Sequence, residues 1–316
     1  DVGENRSRKQ KLELLSFFKS ISGIKTNNQF IEICPNIDQE WINQGNQKFK
    51  KYIPLGQKSK SGSDSIFSDY SRGIETGRDA WCYNFSKTQA SRNFDAQLNC
   101  YNDEMRRLKN LVLTEIKQQA NKDPKKISWT SSLYESVKKN IVGHKSETKL
   151  FTALYRPFTK MELTLNPTFI HRVGQMKKIF PDDKHENLVI CVSGVGSRNG
   201  LSVLASKTIV DLNLLEAGTQ CFPLNLIQNE NSENSLFSKT NAGNSESGIS
   251  VKFMSDCLKL FGKDQLTPSQ VFNYIYAMLH SEIYRERFKN NLLRELPRIP
   301  VVKTKEEFEK FSSAGQ

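Results

Sequence analysis

The sequence predicts a mixed α/β fold: a β-rich part, a long helical spacer before it and a helical unit that closes the chain. Three observations carry this. Leu98, Tyr101, Met105, Leu108 and Val112 recur at three- and four-residue spacing within Phe94–Lys117, which makes one apolar stripe on a helix. Between Lys149 and Ile227 the pattern changes to short β-rich runs separated by Pro, Gly and Asp or Asn. From Thr267 the helical period returns behind a recognisable start signal.

Taken in order, residues 1–56 open with a short amphipathic helix around Leu12, Leu15 and Phe18, followed by a strand-like Phe30–Ile33. Pro35 and Pro54 punctuate this segment. Lys58–Gly73 has the Ser/Gly composition of a loop and, with the two helices after it, forms a unit over 57–146. Pro124 ends the first helix, and the second begins after Thr130–Ser132 with Leu133, Val137 and Ile141 on one face. The β-rich part, 147–262, is built from LFTALYRPF, MELTL, FIHRV, NLVICVS, LSVLAS and CFPLNLI. Gln228–Gly248, rich in Asn, Ser and Glu, reads as a long surface loop. In the last unit, 263–316, Thr267 is the N-cap, Pro268 occupies the first helical position and Gln270 completes a capping box. Val271, Ile275, Met278 and Leu279 form its buried face, and Pro297 and Pro300 stop the following helix, RERFKNNLLREL.

The 316 residues include 46 Lys and Arg against 34 Asp and Glu, a formal charge of +12 that suits a polyanionic partner. Six cysteines lie scattered, without a CxxC pair, as expected for reduced thiols in a cytoplasmic protein. The four histidines show no metal-ligand spacing, and neither GxxxxGK[ST] nor HExxH occurs. No apolar run is long enough for a membrane-spanning helix, so no membrane partner is expected. The abrupt first residues, DVGENRSRKQKL, read as a piece of a longer polypeptide.

Two stretches look superficially catalytic. Asn166-Pro167-Thr168-Phe169 is similar to the Asn-Pro-Pro-Tyr/Phe motif of amino methyltransferases, and Ser193–Gly200 is similar to a Gly-rich nucleotide-binding turn. The residues between them are too few for the strands and helices of that fold, and the second proline is missing. Three polar segments are better candidates for contact with a polyanion. In Gly73–Phe85, the glycines permit sharp turns that project Thr76, Arg78, Asp79 and Tyr83. Arg78 could reach a phosphate or a guanine edge, or could instead brace the loop through Asp79. In Gly194–Asn199, Ser197, Arg198 and Asn199 are residue types that meet bases or phosphates, although an ordinary β-turn has the same composition. The third is the basic run with Arg172, Lys177 and Lys178, whose plainer reading is a solvated face.

Several blocks of the chain resemble the C-terminal specificity region of Type ISP restriction–modification enzymes. They are Gly73–Ser86 (GIETGRDAWCYNFS), Leu154–Phe158 (LYRPF), Asn187–Gly196 (NLVICVSGVG), Thr208–Leu226 (TIVDLNLLEAGTQCFPLNL) and Thr267–Pro300. Arg8–Leu15 is similar to the link that leaves the methyltransferase domain, whereas Thr159, Lys160 and Met161 depart from the family pattern after Tyr-Arg-Pro-Phe, and Asn225 replaces its usual Tyr. The resemblance implies a target-recognition region that binds an asymmetric double-stranded DNA site and presents an adenine to an upstream N6-adenine methyltransferase domain. It also implies that this segment is not catalytic and holds no cofactor, while the parent protein uses S-adenosylmethionine, ATP and Mg. Its partners would be double-stranded DNA and the methyltransferase and translocase domains of the same polypeptide. The alternatives are a divergent S-adenosylmethionine-dependent DNA methyltransferase, or a coupler between domains that reads no DNA.

Overall fold

In the computed structural model, residues 7–20, 33–57, 64–227, 245–262 and 266–316 are described, and the chain divides into the units Asp1–Gln44 and Gly45–Gln316. In the first unit, α1 (Arg8–Ser20) starts behind Ser7, whose hydroxyl accepts from the Gln10 amide while the Gln10 side chain accepts from the Ser7 amide. The expected strand Phe30–Ile33 lies, apart from Ile33, outside the described residues.

The second unit begins with β1 (Ile53–Pro54), β2 (Ser71–Arg72), α2 (Asp79–Cys82) and β3 (Tyr83–Asn84). Three helices follow, α3 (Lys87–Arg107), α4 (Leu113–Gln119) and α5 (Ser131–Lys138). Then come the hairpin β4 (Lys149–Arg156) and β5 (Thr159–Leu165), the short α6 (Met176–Ile179), and β6 (Val189–Val192), β7 (Val203–Ser206), β8 (Gln220–Pro223) and β9 (Asn225–Ile227). The chain closes with β10 (Ser245–Ser247), α7 (Val251–Phe261), α8 (Pro268–His280), α9 (Glu282–Arg287), α10 (Lys289–Leu292), β11 (Arg298–Ile299) and α11 (Lys305–Ala314).

The strands pair antiparallel: a four-stranded sheet in the order β2-β8-β6-β7, a three-stranded sheet β3-β5-β4, and the pairs β1-β11 and β9-β10. Strand β6 is buried along its whole length because both faces of its sheet are covered. Ile190, Val192 and Phe222 pack with Phe272, Ile275 and Leu279 of the closing helices. Val189, Cys191 and Cys221 join Phe151, Leu163 and Ile179 on the other face. Cys191 and Cys221 are register partners with their sulfurs 4.0 Å apart, and burial pushes the Cys221 thiol well above its ordinary value. A third core joins α3, α4 and α5 around Tyr101, Leu133 and Phe169.

Among the described residues the predicted elements change in several places; Ile141, expected on the apolar face of the second helix, lies beyond α5 and is exposed. The helix expected over Phe94–Lys117 is two helices, because the chain turns after Leu108 through Asn110, whose φ is +71°. Leu98, Tyr101, Met105 and Leu108 are buried as the stripe requires, but Val112 falls beyond the turn and is exposed. FIHRV is not a strand; only an isolated bridge joins Arg172 to Glu75. Within Lys58–Gly73, residues 58–63 lie outside the described residues. The remainder buries Ile66 and Phe67 and forms β2, so it is core rather than loop. Of Gln228–Gly248, 228–244 lie outside the described residues, and Ser245–Ser247 pairs with β9. The Thr267–Gln270 capping box forms as expected.

Candidate nucleic-acid interface

The Gly73–Ser86 segment is pinned from both sides. Gly73 donates to the Thr219 carbonyl at 3.1 Å and Ile74 to the Val210 carbonyl at 2.8 Å. The Gly73 Cα lies so close to the Asp211 carbonyl that no Cβ fits there. The segment then turns inward. The Thr76 hydroxyl donates to Asp79 and accepts from the Arg78 amide at 3.0 Å. The Arg78 guanidinium donates from Nε to the Ser128 carbonyl at 3.1 Å, from Nη2 to Thr130 Oγ1 at 2.7 Å, and from Nη1 to the Phe169 carbonyl. Burial lowers the Arg78 pKa to about 10, which still leaves it charged at neutral pH.

The sequence-based picture of a projecting turn is therefore corrected. Thr76, Arg78 and Tyr83 are buried and do not face solvent. Arg78 acts as a brace, but through Ser128, Thr130 and Phe169 rather than through Asp79. All three nitrogens of its fork donate, to acceptors on two other stretches of the chain, which an isolated loop could not supply.

Asp79 instead belongs to a second cluster that unites three separate stretches. Tyr155 Oη donates to Asp79 Oδ2 at 3.0 Å, and Arg156 lies 3.8 Å from the same oxygen. Arg156 Nη1 donates to Asp211 Oδ1 at 2.6 Å, and its guanidinium carbon sits 3.8 Å over the Tyr155 ring. Burial, reinforced by the nearby Asp211 carboxylate, raises the Tyr83 phenol well above its ordinary value. Sequence reasoning missed Arg156 and Asp211 as site residues, although both lie in the blocks LYRPF and TIVDLN.

The Gly194–Asn199 turn is organised by Glu216, also missed. One Glu216 oxygen accepts from Ser197 Oγ at 2.9 Å, and from the Asn199 amide and side chain at 3.1 Å each. These donors lower the Glu216 pKa, the Asn199 amide most and the Ser197 hydroxyl next. Ser197 is buried against Glu216, which corrects its assignment as a reading side chain, whereas Arg198 is 93 % exposed and Asn199 is also exposed. Gly194 lies against the Ala217 carbonyl with no room for a Cβ, so the turn is seated on the same segment that carries Glu216.

Three adjoining concavities carry a high density of arginine. One of about 160 Å3 is lined by Arg72, Arg172 and Gln175 beside Tyr70. Tyr70 and Arg72 also line the next, about 470 Å3, where Gln220, Arg294 and Arg298 meet Val195. The third, about 280 Å3, lies across the same turn and is lined by Arg198, Asn199, Arg285 and Lys289. Arg285 is tied to the Leu201 carbonyl, and Arg298 to Glu295 and the Tyr52 carbonyl, so both are held in place. Arg172 is exposed and 3.4 Å from Glu75; Lys178 lies 3.6 Å from Asp69, and Lys177 points to solvent from α6. The expected candidates Arg172, Arg198 and Asn199 thus fall along one run, joined by Arg72, Arg294, Arg298 and Lys289.

The Type ISP C-terminal specificity domain model matches residues 65–316. The chain belongs to that family. Among solved structures, this specificity domain is similar to the ATP-dependent Type ISP restriction-modification enzyme LlaBIII bound to DNA, at 32% identity and a TM-score of 0.79, covering 99% of this chain and 19% of that one. It is similar to a nuclease-deletion mutant of the Type ISP enzyme LlaGI in complex with a DNA substrate mimic, at 29% identity and a TM-score of 0.78, covering 100% and 27%. The DrdV–DNA complex shares the fold at 24% identity and a TM-score of 0.75, covering 97% and 28%. The specificity domain therefore spans 19% to 28% of the length of these three chains. No curated protein matches it.

The stretch similar to a methyltransferase motif has a structural use in this specificity domain. Asn166 is fully buried; its amide donates at 3.0 Å to the His144 carbonyl and to Thr148 Oγ1, and its oxygen accepts from the Thr168 amide. The side chain that would hold an adenine closes a turn instead. Among the described residues no group of three His, Cys, Asp or Glu is placed to share a metal ion, and no helix is long and apolar enough to cross a membrane.

Proposed function

We propose that this specificity domain binds double-stranded DNA and reads a target sequence for a single-chain restriction–modification enzyme, with no chemistry of its own. The run of arginine-lined concavities carries the reading. Its exposed cations suit successive phosphates, which fix register, while Asn199 and Gln220 are side chains that can discriminate base edges. Support comes from the two Type ISP neighbours above 25% identity, both solved with DNA or a DNA mimic. In the parent protein the domain presents an adenine to an upstream methyltransferase, and S-adenosylmethionine, ATP and Mg act there rather than here. Domains of the same polypeptide are its other partners, in the cytoplasm.

The test is a salt titration of duplex binding by the full chain, with S-adenosylmethionine binding measured alongside. Affinity should fall steeply and linearly in log-log form as salt rises, because phosphate contacts release counterions. A flat profile would favour the coupler, and saturable S-adenosylmethionine binding would favour the methyltransferase alternative.

A further inference from the structure

The β4–β5 hairpin ends in the two-residue turn Pro157-Phe158, between the register partners Arg156 and Thr159. Proline at the first corner and a positive φ at the second match a type II turn, which ordinarily places Gly or Asn at that second corner. Here the residue is Phe158, with φ +63°. Its ring is 92 % exposed, the most exposed of the large hydrophobic side chains among the described residues. A bulky L-residue is disfavoured in this conformation, and the exposed ring gains nothing from burial in return. An observed outlier of this kind, on an otherwise well-packed hairpin, marks a site held ready for a partner.

The hairpin around Phe158 is anchored with care. The pairing register shifts between Leu154 and Arg156, a bulge that sets the angle of the tip. Arg156 then fixes the base of the turn by its bond to Asp211, whose carbonyl abuts Gly73. Gly73 and the next residue after Asp211, Leu212, line the concavity that holds Arg72 and Arg172. Asp211 thus links Arg156, two residues before the tip, to the wall of that concavity. At the same end of the three-stranded sheet, Phe85 is also exposed, one residue beyond the pair Asn84–Glu162. Lys87 and Lys160, each two residues beyond one of these aromatics in sequence, are exposed, Lys87 at 3.9 Å from Glu162, and Arg156 is partly exposed. Aromatic rings interleaved with cations are the combination that stacks on nucleobases while contacting phosphates, and a wholly apolar protein surface would not suit those charges.

We infer that Phe158 is a wedge that inserts into the base stack of the bound duplex, unstacking one step at or beside the target. This rests on the DNA-binding reading and assigns it a specific mechanical part. Apolar wedges pushed between base steps are an established way to deform DNA and to expose a base.

The decisive variant is Phe158→Gly, because glycine accepts the positive φ and should leave the melting temperature unchanged or raise it. The full chain and the variant are compared on a mixed-sequence duplex library enriched on the full chain, by affinity at low salt and by permanganate reactivity of unstacked thymines read by sequencing. The expected result is a loss of affinity of roughly 5- to 140-fold, the span of one lost base–aromatic stack. The full chain should show a localised reactive position that Phe158→Gly lacks and Phe158→Tyr keeps. Equal affinity and an equal reactivity pattern in a well-folded Phe158→Gly would overturn the wedge and leave the DNA-binding reading standing. A full chain that enriches no duplex at low salt would overturn both.

Discussion

Arg156 Nη1 lies 2.6 Å from Asp211 Oδ1, and the same guanidinium covers the Tyr155 ring at 3.8 Å. The pair is asymmetric: the Asp211 side chain is 2 % exposed, while the Arg156 side chain is 35 % exposed. Removing the arginine would strand a buried carboxylate.

Arg156→Ala should therefore destabilise the chain by about 2–3 kcal/mol, the low end for breaking a buried pair because Arg156 itself is partly solvated. The loss should depend on pH. Asp211 has a raised pKa, chiefly from burial and despite Arg156 and the Asn213 amide pulling it down. A raised pKa means that folding is favoured by the protonated form, fully so below the unfolded value, and that this gain is lost as pH rises through the folded value. Without Arg156 the folded value rises further. The deficit should be largest near neutral pH and shrink on acidification, as followed by denaturant unfolding at several pH values.

Arg78→Ala should cost about 3 kcal/mol or more, since it leaves two carbonyls and the Thr130 hydroxyl without their donor inside the fold. Arg78→Lys should recover little, because an ammonium cannot span three diverging acceptors. Below its melting temperature the alanine variant should bind duplex DNA as the parent chain does. A tenfold weaker affinity in a folded variant would return Arg78 to the interface.

Arg198→Ala and Lys289→Ala should leave the melting temperature unchanged, since both side chains are exposed. Each should weaken binding to all duplexes alike and reduce the salt slope by about 1, if each meets one phosphate. Selective loss at one base position would instead make the residue a reader of sequence.

Glu216→Ala should release Ser197 and Asn199, lowering the melting temperature at neutral pH and weakening DNA binding through disorder of the Arg198 turn. The sign with pH is opposite to that of Asp211. The Glu216 pKa is lowered in the fold, so its contribution is present above the unfolded carboxylate value and is lost as pH falls through the folded value. The difference in melting temperature between the parent chain and the variant should vanish in acid.

Much of the frame was legible because local chemistry dictates it. Thr267-Pro268 and Gln270 announce a helix start that needs no tertiary help, and the VICV of β6 is apolar throughout because both faces are covered. The misreadings share a cause. Arg78 and Ser197 look like surface residues until Phe169 and Glu216 are brought beside them, and neither partner is near in sequence. The single helix expected through Val112 failed at Asn110, where a left-handed residue outweighed an apolar repeat. The blocks GIETGRD, LYRPF and TIVDLN were recognisable separately, but only the fold shows that Asp79, Arg156 and Asp211 meet.

Because β6 is one wall shared by two cores, the apparent seam near residue 262 is no place to cut. Deleting the closing helices would strip one side of Ile190, Val192 and Phe222, while the loops on the opposite side would lose the surface that holds their strands in register. An engineer who wishes to retarget such a protein should exchange the rim and keep the wall. The smallest coherent cassette around Arg198 runs from Ser193 through Glu216, since the turn travels badly without the carboxylate that shapes it.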